Sequence, residues 1–354
     1  MKILMIAGGT GGHVFPALTI AKKFEEHGND ISWIGKLDSL EERIALEEGF
    51  HFFPIQAKGF LGKNFIEKIG AIFTLSISIL KSIVLIIRIK PDLAISTGGY
   101  LSLAPGLATI FLCPLYIHEQ NSIPGISNRI LHRISKRTFE AFPKTFKQPT
   151  QKVINVGNPI RDEISRIAEL DKIEDDKFRI LILGGSQGSQ QINDILIQAL
   201  HDKKNLSHWI LTHQVGQLNT TKLKEAYIKS GVKFVIKEFI EDIATAYRES
   251  DIIISRSGAM SVTEICSAQK ACILLPLPWS ADNHQFFNAK FLADRGAAQM
   301  IESDISNAEI LYELLIDLEK DDNKRNSMKR AAGKVFPSST SERIFNCINE
   351  SLKF

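Results

Sequence analysis

Two glycine-rich turns stand at matching places in the two halves of the chain, Gly8-Gly9-Thr10-Gly11-Gly12-His13 and Gly184-Gly185-Ser186-Gln187-Gly188-Ser189. Each follows a short apolar run and opens an amphipathic stretch, and glycine there lets the backbone take positive φ and approach a ligand closely. The free N–H groups of the helix that follows, aided by its dipole, attract anions. The duplication predicts two facing nucleotide-fold domains with a diphosphate-linked ligand held between them. The first turn lacks the Lys-Ser/Thr ending of an ATP loop and does not match G-x-G-x-x-G, so neither ATP nor NAD is favoured.

The rest of the pattern agrees with two domains. Apolar runs Ile3–Ala7, Ile31–Gly35, Leu93–Ser96, Leu115–His118 and Lys152–Val156 alternate with helical stretches such as Pro16–His27 and Leu40–Glu48, the rhythm of parallel βαβ units. It restarts after a charged, proline-containing stretch, with strands expected at Arg179–Leu183, Trp209–His213, Lys233–Ile236, Ile252–Ser255 and Cys272–Leu275. The boundary is expected near Gly157-Asn158-Pro159. Ser341–Leu352 reads as a terminal helix.

Charge is uneven along the chain: 18 Lys and Arg against 12 Asp and Glu over residues 1–159, leaving 25 against 28 in the remainder. The basic half suits an anionic substrate, a membrane or a nucleic acid equally, because the field does not choose among them. Four scattered cysteines with no CxxC pair fit a reducing compartment and no zinc site. Residues 69–89 are nearly all apolar or small, but Lys81 would sit inside a bilayer and a strand follows at once, so a helix partly packed on the domain is preferred to a span. That helix can present Phe65, Ile69, Ile72, Phe73 and Leu80 with Lys63, Lys68 and Lys81 to an anionic lipid surface, or bury them as core.

Chemistry-bearing residues cluster after the predicted strands. His13 at a helix mouth can bind an oxyanion, take a proton, or merely cap. Ser96-Thr97-Gly98-Gly99-Tyr100 leaves the same carboxyl edge as the first turn, and His118-Glu119-Gln120-Asn121 supplies hydrogen-bonding groups suited to a polyhydroxylated ligand while lacking metal-ligand spacing. In the second half, Ser186 and the forked cation of Arg161 suit two phosphates. Glu264, in Arg256–Glu264, can accept from a ribose diol or only complement the helix dipole. Asp282, Asn283, His284 and Gln285 can meet sugar hydroxyls or cap the next helix.

These stretches together, GGTGGHVFPA at 8–17, GGY at 98–100, HEQN at 118–121, GNPIR at 157–161, GGSQGS at 184–189, RSGAMSVTE at 256–264 and DNHQFFNA at 282–289, resemble the MurG family in order along nearly the whole chain. That family comprises the UDP-N-acetylglucosamine: undecaprenyl-pyrophosphoryl-muramoyl-pentapeptide N-acetylglucosaminyltransferases of peptidoglycan synthesis. The resemblance implies an α/β GT-B architecture, two Rossmann-like doubly wound parallel-sheet domains facing across a cleft, with the terminal helix crossing back onto the first, so that the domains are 1–158 plus 338–354 and 159–337. It also implies inverting transfer of N-acetylglucosamine to the C4 hydroxyl of the muramoyl sugar of lipid I, with no cofactor, no metal and no nucleic acid.

By the same resemblance, Arg161 and Ser186 contact the donor diphosphate, Ile240 reads uracil through its backbone, and Glu264 holds the ribose in a pocket lined by Ala259, Met260, Ser261, Val262 and Thr263. Gln285 meets the donor sugar, with Asn288 nearby. Thr10, Gly11, Gly12, His13 and Asn121 face the donor sugar and the acceptor diphosphate, and Tyr100 joins them on the acceptor side. His13 is the first candidate for the general base and Glu119 the second. Position 284 is His where some members carry Gln, so no sugar contact is assigned to it. The expected location is peripheral, on the cytoplasmic face of the bacterial inner membrane, with other cell-wall synthesis proteins as partners. A UDP-N-acetylglucosamine epimerase, a diacylglycerol glycosyltransferase and a non-catalytic nucleotide sensor share parts of this pattern.

Overall fold

The computed structural model describes residues 1–55, 65–146, 151–169, 176–185 and 187–352, with backbone alone for 65–73. The chain divides into two compact units, Met1–Ile160 with Pro337–Phe354, and Arg161–Phe336. In unit 1 the strands are β1 (Lys2–Ala7), β2 (Asp30–Gly35), β3 (His51–Pro54), β4 (Leu93–Gly98), β5 (Leu115–Glu119), β6 (Arg137–Glu140) and β7 (Val153–Asn155). In unit 2 they are β8 (Phe178–Leu183), β9 (Trp209–Gln214), β10 (Lys233–Lys237), β11 (Ile252–Ser255), β12 (Ala271–Leu274) and β13 (Gln299–Met300). The helices are α1 (Gly11–Glu26), α2 (Leu40–Glu47), α3 (Phe65–Ile89), α4 (Leu103–Ala108), α5 (Ile126–Leu131), α6 (Asp162–Ser165), α7 (Gln190–Ala199), α8 (Thr221–Ser230), α9 (Ile243–Glu249), α10 (Ala259–Ser267), α11 (His284–Ala293), α12 (Ala308–Lys320), α13 (Asp322–Ala332) and α14 (Thr340–Leu352).

Both sheets are parallel throughout, in the orders β3-β2-β1-β4-β5-β6-β7 and β10-β9-β8-β11-β12-β13. A parallel sheet covered on both faces needs strands that are apolar at every position, which is why Ile3 through Ala7 are all fully buried. Side chains alternate between faces: Ile3, Met5 and Ala7 join the cluster containing Phe24 of α1, while Leu4 and Ile6 join the one containing Ile86 of α3. Unit 2 has its own core, in which Ile180 and Ile182 pack with Ile192 of α7 and Leu311 of α12.

Several elements differ from the sequence expectation. Helix α1 begins at Gly11, so Pro16 lies inside it and not at its start. Strands β3, β6 and β13 carry no strong apolar signal. His51-Phe52-Phe53-Pro54 is a half-exposed edge strand, and β13 has only two residues, so both exist through pairing with a neighbour. Helix α14 closes unit 1: Ile344, Phe345 and Ile348 enter the β1 core, Phe345 packs edge-on to Phe24 with centroids 5.0 Å apart, and Lys23 pairs with Glu342 at 2.7 Å. The Thr340 hydroxyl also donates to the Val156 carbonyl at 2.7 Å.

In each unit the strand order reverses at the centre, between β1 and β4 and between β8 and β11, and ligands of doubly wound sheets bind at the carboxyl ends of such a pair. The first glycine turn leaves β1 and Gly98-Gly99-Tyr100 leaves β4, so the two meet. A Cβ on Gly99 would lie 2.3 Å from the Gly8 carbonyl oxygen, and its φ of 89° is one that L side chains rarely adopt. Because α14 completes only the first core, Ile348→Ala should lower unit 1 stability by ~2–5 kcal/mol. Denaturation followed by calorimetry should show one transition moving down and the unit 2 transition staying in place.

Candidate functional site

In unit 1 the polar groups converge at the β1/β4 end of the sheet. Thr10 is the N-cap of α1, with extended backbone and no side-chain bond back to the helix, so the first-turn N–H groups that begin at Gly11 and Gly12 face outward with an exposed Gly12. His13 is gripped twice by Thr97: the imidazole Nδ1 lies 2.9 Å from the Thr97 carbonyl oxygen, and the Thr97 hydroxyl donates to the His13 carbonyl at 2.8 Å. The same Nδ1 lies 3.1 Å from Gln120 Oε1. Tyr100 is exposed, and its ring borders the Gly9 backbone.

Glu119 is buried and fully engaged. One oxygen accepts from the Asn121 backbone N–H at 3.0 Å and its side-chain amide at 3.4 Å, and the other accepts from Gly125 N–H at 3.1 Å and Asn128 Nδ2 at 2.8 Å. A carboxylate committed to four donors staples the loop from 119 to 128, and it holds Asn121 at that loop's start. Thus the sequence-predicted residues Thr10, Gly11, Gly12, His13, Tyr100, Glu119 and Asn121 all leave the carboxyl edge of one sheet, from β1, β4 and β5.

In unit 2 the site is built around β8 and β11. Gly188 approaches the Val215 carbonyl so closely that a Cβ would lie 1.9 Å from it, which sets the tight second turn. Ser186 lies outside the described residues. Gln214 donates to the Gly185 carbonyl at 2.9 Å and accepts from the Ile240 N–H at 3.0 Å. The N–H of Ile240 is therefore engaged by the protein. Arg161, just before α6, lies 3.4 Å from Glu264 Oε1 and 3.2 Å from Glu163 Oε1, and the Tyr247 hydroxyl donates to Glu264 Oε2 at 3.4 Å.

The Glu264 side chain is only 16% exposed. Burial pushes its carboxyl above the ordinary carboxylate range, against the opposing pull of Arg161 and Tyr247. It sits in the second turn of α10, past the first-turn positions where dipole complementation acts. Of the residues expected to line that pocket, Val262 and Thr263 are buried within the unit and Ala259 nearly so, which leaves Met260 and Ser261 partly accessible. Gln285 Oε1 accepts from Leu277 N–H at 3.1 Å, and Asn288 is wholly buried, donating to the Ser257 carbonyl at 3.0 Å, so Asn288 braces the turn before α10. Asn283 occupies the N-cap position of α11 without a side-chain cap bond.

Sequence reasoning did not single out Arg256. Its buried guanidinium donates to the carbonyls of Leu275 and Pro276, to Ser303 Oγ, to Ser189 Oγ at 2.6 Å and to Gln191 Oε1. Burial lowers its pKa to about 10, and its bonded partners are all neutral, so a cation is fixed directly behind the N-cap of α7 that ends the second glycine turn. Beside it lies a cavity of about 530 Å³ walled by Trp279, Phe286 and Pro278, with Gln191, Asn283, Glu302 and Asp304 as polar groups. An apolar face with a few converging amides and carboxylates is suited to a sugar.

Two family models match the chain: the glycosyltransferase family 28 N-terminal domain over residues 3–140 and the glycosyltransferase family 28 C-terminal domain over 179–344. A protein of Vesicomyosocius okutanii subsp. Calyptogena okutanii (strain HA), named UDP-N-acetylglucosamine--N-acetylmuramyl-(pentapeptide) pyrophosphoryl-undecaprenol N-acetylglucosamine transferase, is 40% identical over 327 residues, 92% of either chain. A protein of the same name from Shewanella frigidimarina (strain NCIMB 400) is 38% identical over 89% of this chain and 87% of its own. The crystal structure of Acinetobacter baumannii MurG matches over 99% of both chains with a TM-score of 0.83 and 32% identity. A putative UDP-N-acetylglucosamine 2-epimerase of Listeria monocytogenes covers 99% of this chain and 96% of its own at a TM-score of 0.70 but 13% identity, and so shares the fold alone.

The raised Glu264 pKa has a definite sign. The folded state holds the proton more tightly than the unfolded chain, so stability falls as pH rises from the unfolded carboxylate pKa through the folded one and stays lowered above it. Glu264→Gln should therefore melt at a higher temperature than the parent at pH 7, with the difference shrinking as pH is brought down through the carboxylate range, measured by thermal denaturation across pH.

Proposed function

The chain belongs to glycosyltransferase family 28, on its MurG branch, and we propose that it transfers N-acetylglucosamine from UDP-N-acetylglucosamine to the C4 hydroxyl of an undecaprenyl-pyrophosphoryl-linked N-acetylmuramyl-pentapeptide. In this reading unit 2 binds the donor. Arg161, the second glycine turn and the N-terminus of α7 stabilise the diphosphate, the Ile240 carbonyl accepts the imide N–H of uracil, Glu264 accepts from the ribose hydroxyls, and Gln285 meets the sugar beside the Trp279 cavity. The observation that carries the reading is the Arg256 clamp, which ties Ser189 at the end of the diphosphate turn to the segment leading into α10 and Glu264. The groups assigned to diphosphate and to ribose thereby sit on one braced frame.

Unit 1 supplies the acceptor side. The diphosphate of the lipid-linked acceptor lies at the α1 N-terminus with Gly11, Gly12, Tyr100 and Asn121. The imidazole of His13 takes the C4 hydroxyl proton through Nε2 as that oxygen attacks the anomeric carbon. The bond from that carbon to the β-phosphate oxygen breaks on the opposite face, UDP leaves, and the anomeric configuration inverts. Fixed donors around the leaving diphosphate lower the barrier because its charge grows as the bond breaks. Glu119, whose oxygens are fully bonded, acts in this reading as the loop's staple, with His13 as the base.

Supplied with UDP-N-acetylglucosamine and lipid-linked muramyl-pentapeptide, the protein should form the disaccharide product only when both are present. A 2-epimer made without acceptor, or UDP binding with no turnover, would instead support the epimerase or the sensor. Glu264→Gln, despite its higher melting temperature, should raise the donor KM by about 10- to 100-fold, the cost of losing hydrogen bonds to a charged acceptor.

We also propose that unit 1 rests on an anionic membrane surface. Helix α3 is apolar on both sides: Ile86 and Ile89 pack into the core, with Ser78 and Ser82 also buried, while Leu80, 63% exposed, and Val84, 66% exposed, share the outer stripe with Ile77, Lys81, Ile87 and Arg88. Past the end of α4, which packs on α3, Phe111 is 95% exposed. Apolar side chains edged by cations match a headgroup boundary. The side chains of Phe65, Lys68, Ile69, Ile72 and Phe73 lie outside the described residues, so this reading rests on the later turns and on Phe111. Among the described residues no helix is long and apolar enough to cross a membrane. The Leu80→Ser, Val84→Ser, Phe111→Ser triple variant should lose at least about 10-fold in binding to vesicles containing anionic lipid, by cosedimentation, with turnover on a short-chain acceptor retained.

A further inference from the structure

A chain of hydrogen bonds runs behind His13 and involves two side chains that the transfer step does not otherwise use. His118 is fully buried at the end of β5, its Nε2 2.9 Å from the Gly157 carbonyl oxygen. Gln120 Nε2 lies 3.1 Å from His118 Nδ1 and 3.3 Å from the His118 carbonyl oxygen, and Gln120 Oε1 lies 3.1 Å from His13 Nδ1. His13 Nδ1 is also 2.9 Å from the Thr97 carbonyl oxygen. The Gln120 backbone is fixed in turn, its carbonyl accepting from Asn158 Nδ2 at 3.1 Å.

Three of these contacts end on backbone carbonyls, which can only accept, and that sets the direction of the whole chain. His118 Nε2 must carry a hydrogen to satisfy Gly157. Burial holds the His118 pKa down at about 4, so the ring is neutral and its Nδ1 is a bare lone pair. That lone pair and the His118 carbonyl both require the nitrogen of the Gln120 amide, so its oxygen turns toward His13. There the amide oxygen joins the Thr97 carbonyl as a second acceptor, and Nδ1 of His13 must be the protonated nitrogen. Among the described residues no group bonds His13 Nε2.

We propose that His118 and Gln120 are positioning residues whose hydrogen-bond polarity, anchored at the Gly157 carbonyl, holds His13 as the Nδ1–H tautomer and keeps Nε2 as the proton acceptor. The two histidines carry opposite tautomers, and the amide between them converts one into the other. When His13 gains the acceptor's proton at Nε2, its Nδ1–H becomes a stronger donor to two oxygens already in place, so the cationic ring is stabilised without rearrangement. A reversed amide would set N–H against N–H and expel the ring from its seat.

The proposal rests on His13 being the base, and the test separates the two. In protein labelled with ¹⁵N-histidine, two-bond correlation spectra read each ring nitrogen directly. The expected result is His13 protonated at Nδ1 and His118 at Nε2; His13 protonated at Nε2, or both histidines in the same tautomer, overturns the proposal whatever the activity. Gln120→Leu leaves the Thr97 carbonyl as the one remaining acceptor at His13 Nδ1, so the Nδ1–H form should lose part of its population to the Nε2–H form and kcat should fall by about 10-fold while both KM values stay within about 2-fold. Gln120→Glu, which keeps an oxygen toward His13 and the shape of the site, should keep the His13 tautomer while forcing His118 to change its own; unaltered His118 signals in that variant also overturn the relay. His13→Asn with undiminished kcat removes the base assignment and leaves the tautomer result standing.

Discussion

Everything at the two sites depends on strand-order reversal at the middle of each parallel sheet. Where β1 runs beside β4, and β8 beside β11, the chain departs in opposite directions to reach the next strand, so the loops leaving that pair part and their backbones are exposed. Only glycine satisfies the geometry that results. Gly99 backs against the Gly8 carbonyl across the β1/β4 pair, and Gly188 backs against that of Val215, in the turn that leaves β9, at separations where any Cβ would overlap the backbone. The glycines therefore set how close two turns can come, and the helix N–H groups behind them are presented as a consequence.

The two sites use that frame for opposite electrostatic purposes. In unit 2 a buried guanidinium with neutral partners stands behind the turn, and Arg161 lies against Glu264; in the proposed reading both supply positive charge to the diphosphate leaving group. The carboxylate that opposes it, Glu264, is held in a poorly solvated position at a cost to stability, which is the pattern expected of a group kept for binding. Among the described residues of unit 1, no fixed cation is placed behind the turn in the same manner. In the proposed relay, hydrogen-bond polarity does the positioning there, through the His118 imidazole and the Gln120 amide, which can accommodate a transient charge on His13.

The local sequence was informative wherever one residue's chemistry is sufficient. Mostly apolar runs marked β1, β2, β4, β5, β8, β9 and β11 because a strand covered on both faces carries few polar positions, such as Ser96, His118 and His213, to confuse the pattern. Of the four edge strands, β7 and β10 were legible at Lys152–Val156 and Lys233–Ile236, while β3, which carries His51 and Pro54, and β13, two residues long, were not. Pro16 suggested a helix start although α1 begins five residues earlier, since the missing N–H of proline is tolerated near a first turn. Arg256 was passed over among the small residues of its motif, and nothing in the local pattern distinguishes a buried clamp from a surface cation.

The sequence by itself determined the fold class, the placing of both anion turns and the family, because glycine spacing, apolar periodicity and ordered motifs are properties of contiguous residues. Tertiary structure alone decided which groups act on which. It showed that the Glu119 oxygens are consumed by the 119–128 loop and that α3 turns apolar side chains outward as well as into the core. It also placed Ile344 and Ile348 of α14 in the β1 core, and brought carbonyls at Thr97, His118 and Gly157, far apart along the chain, onto the hydrogen bonds that lead to one imidazole. Hydrogen-bond direction and burial depend on partners brought in from distant segments, and no local pattern carries that information.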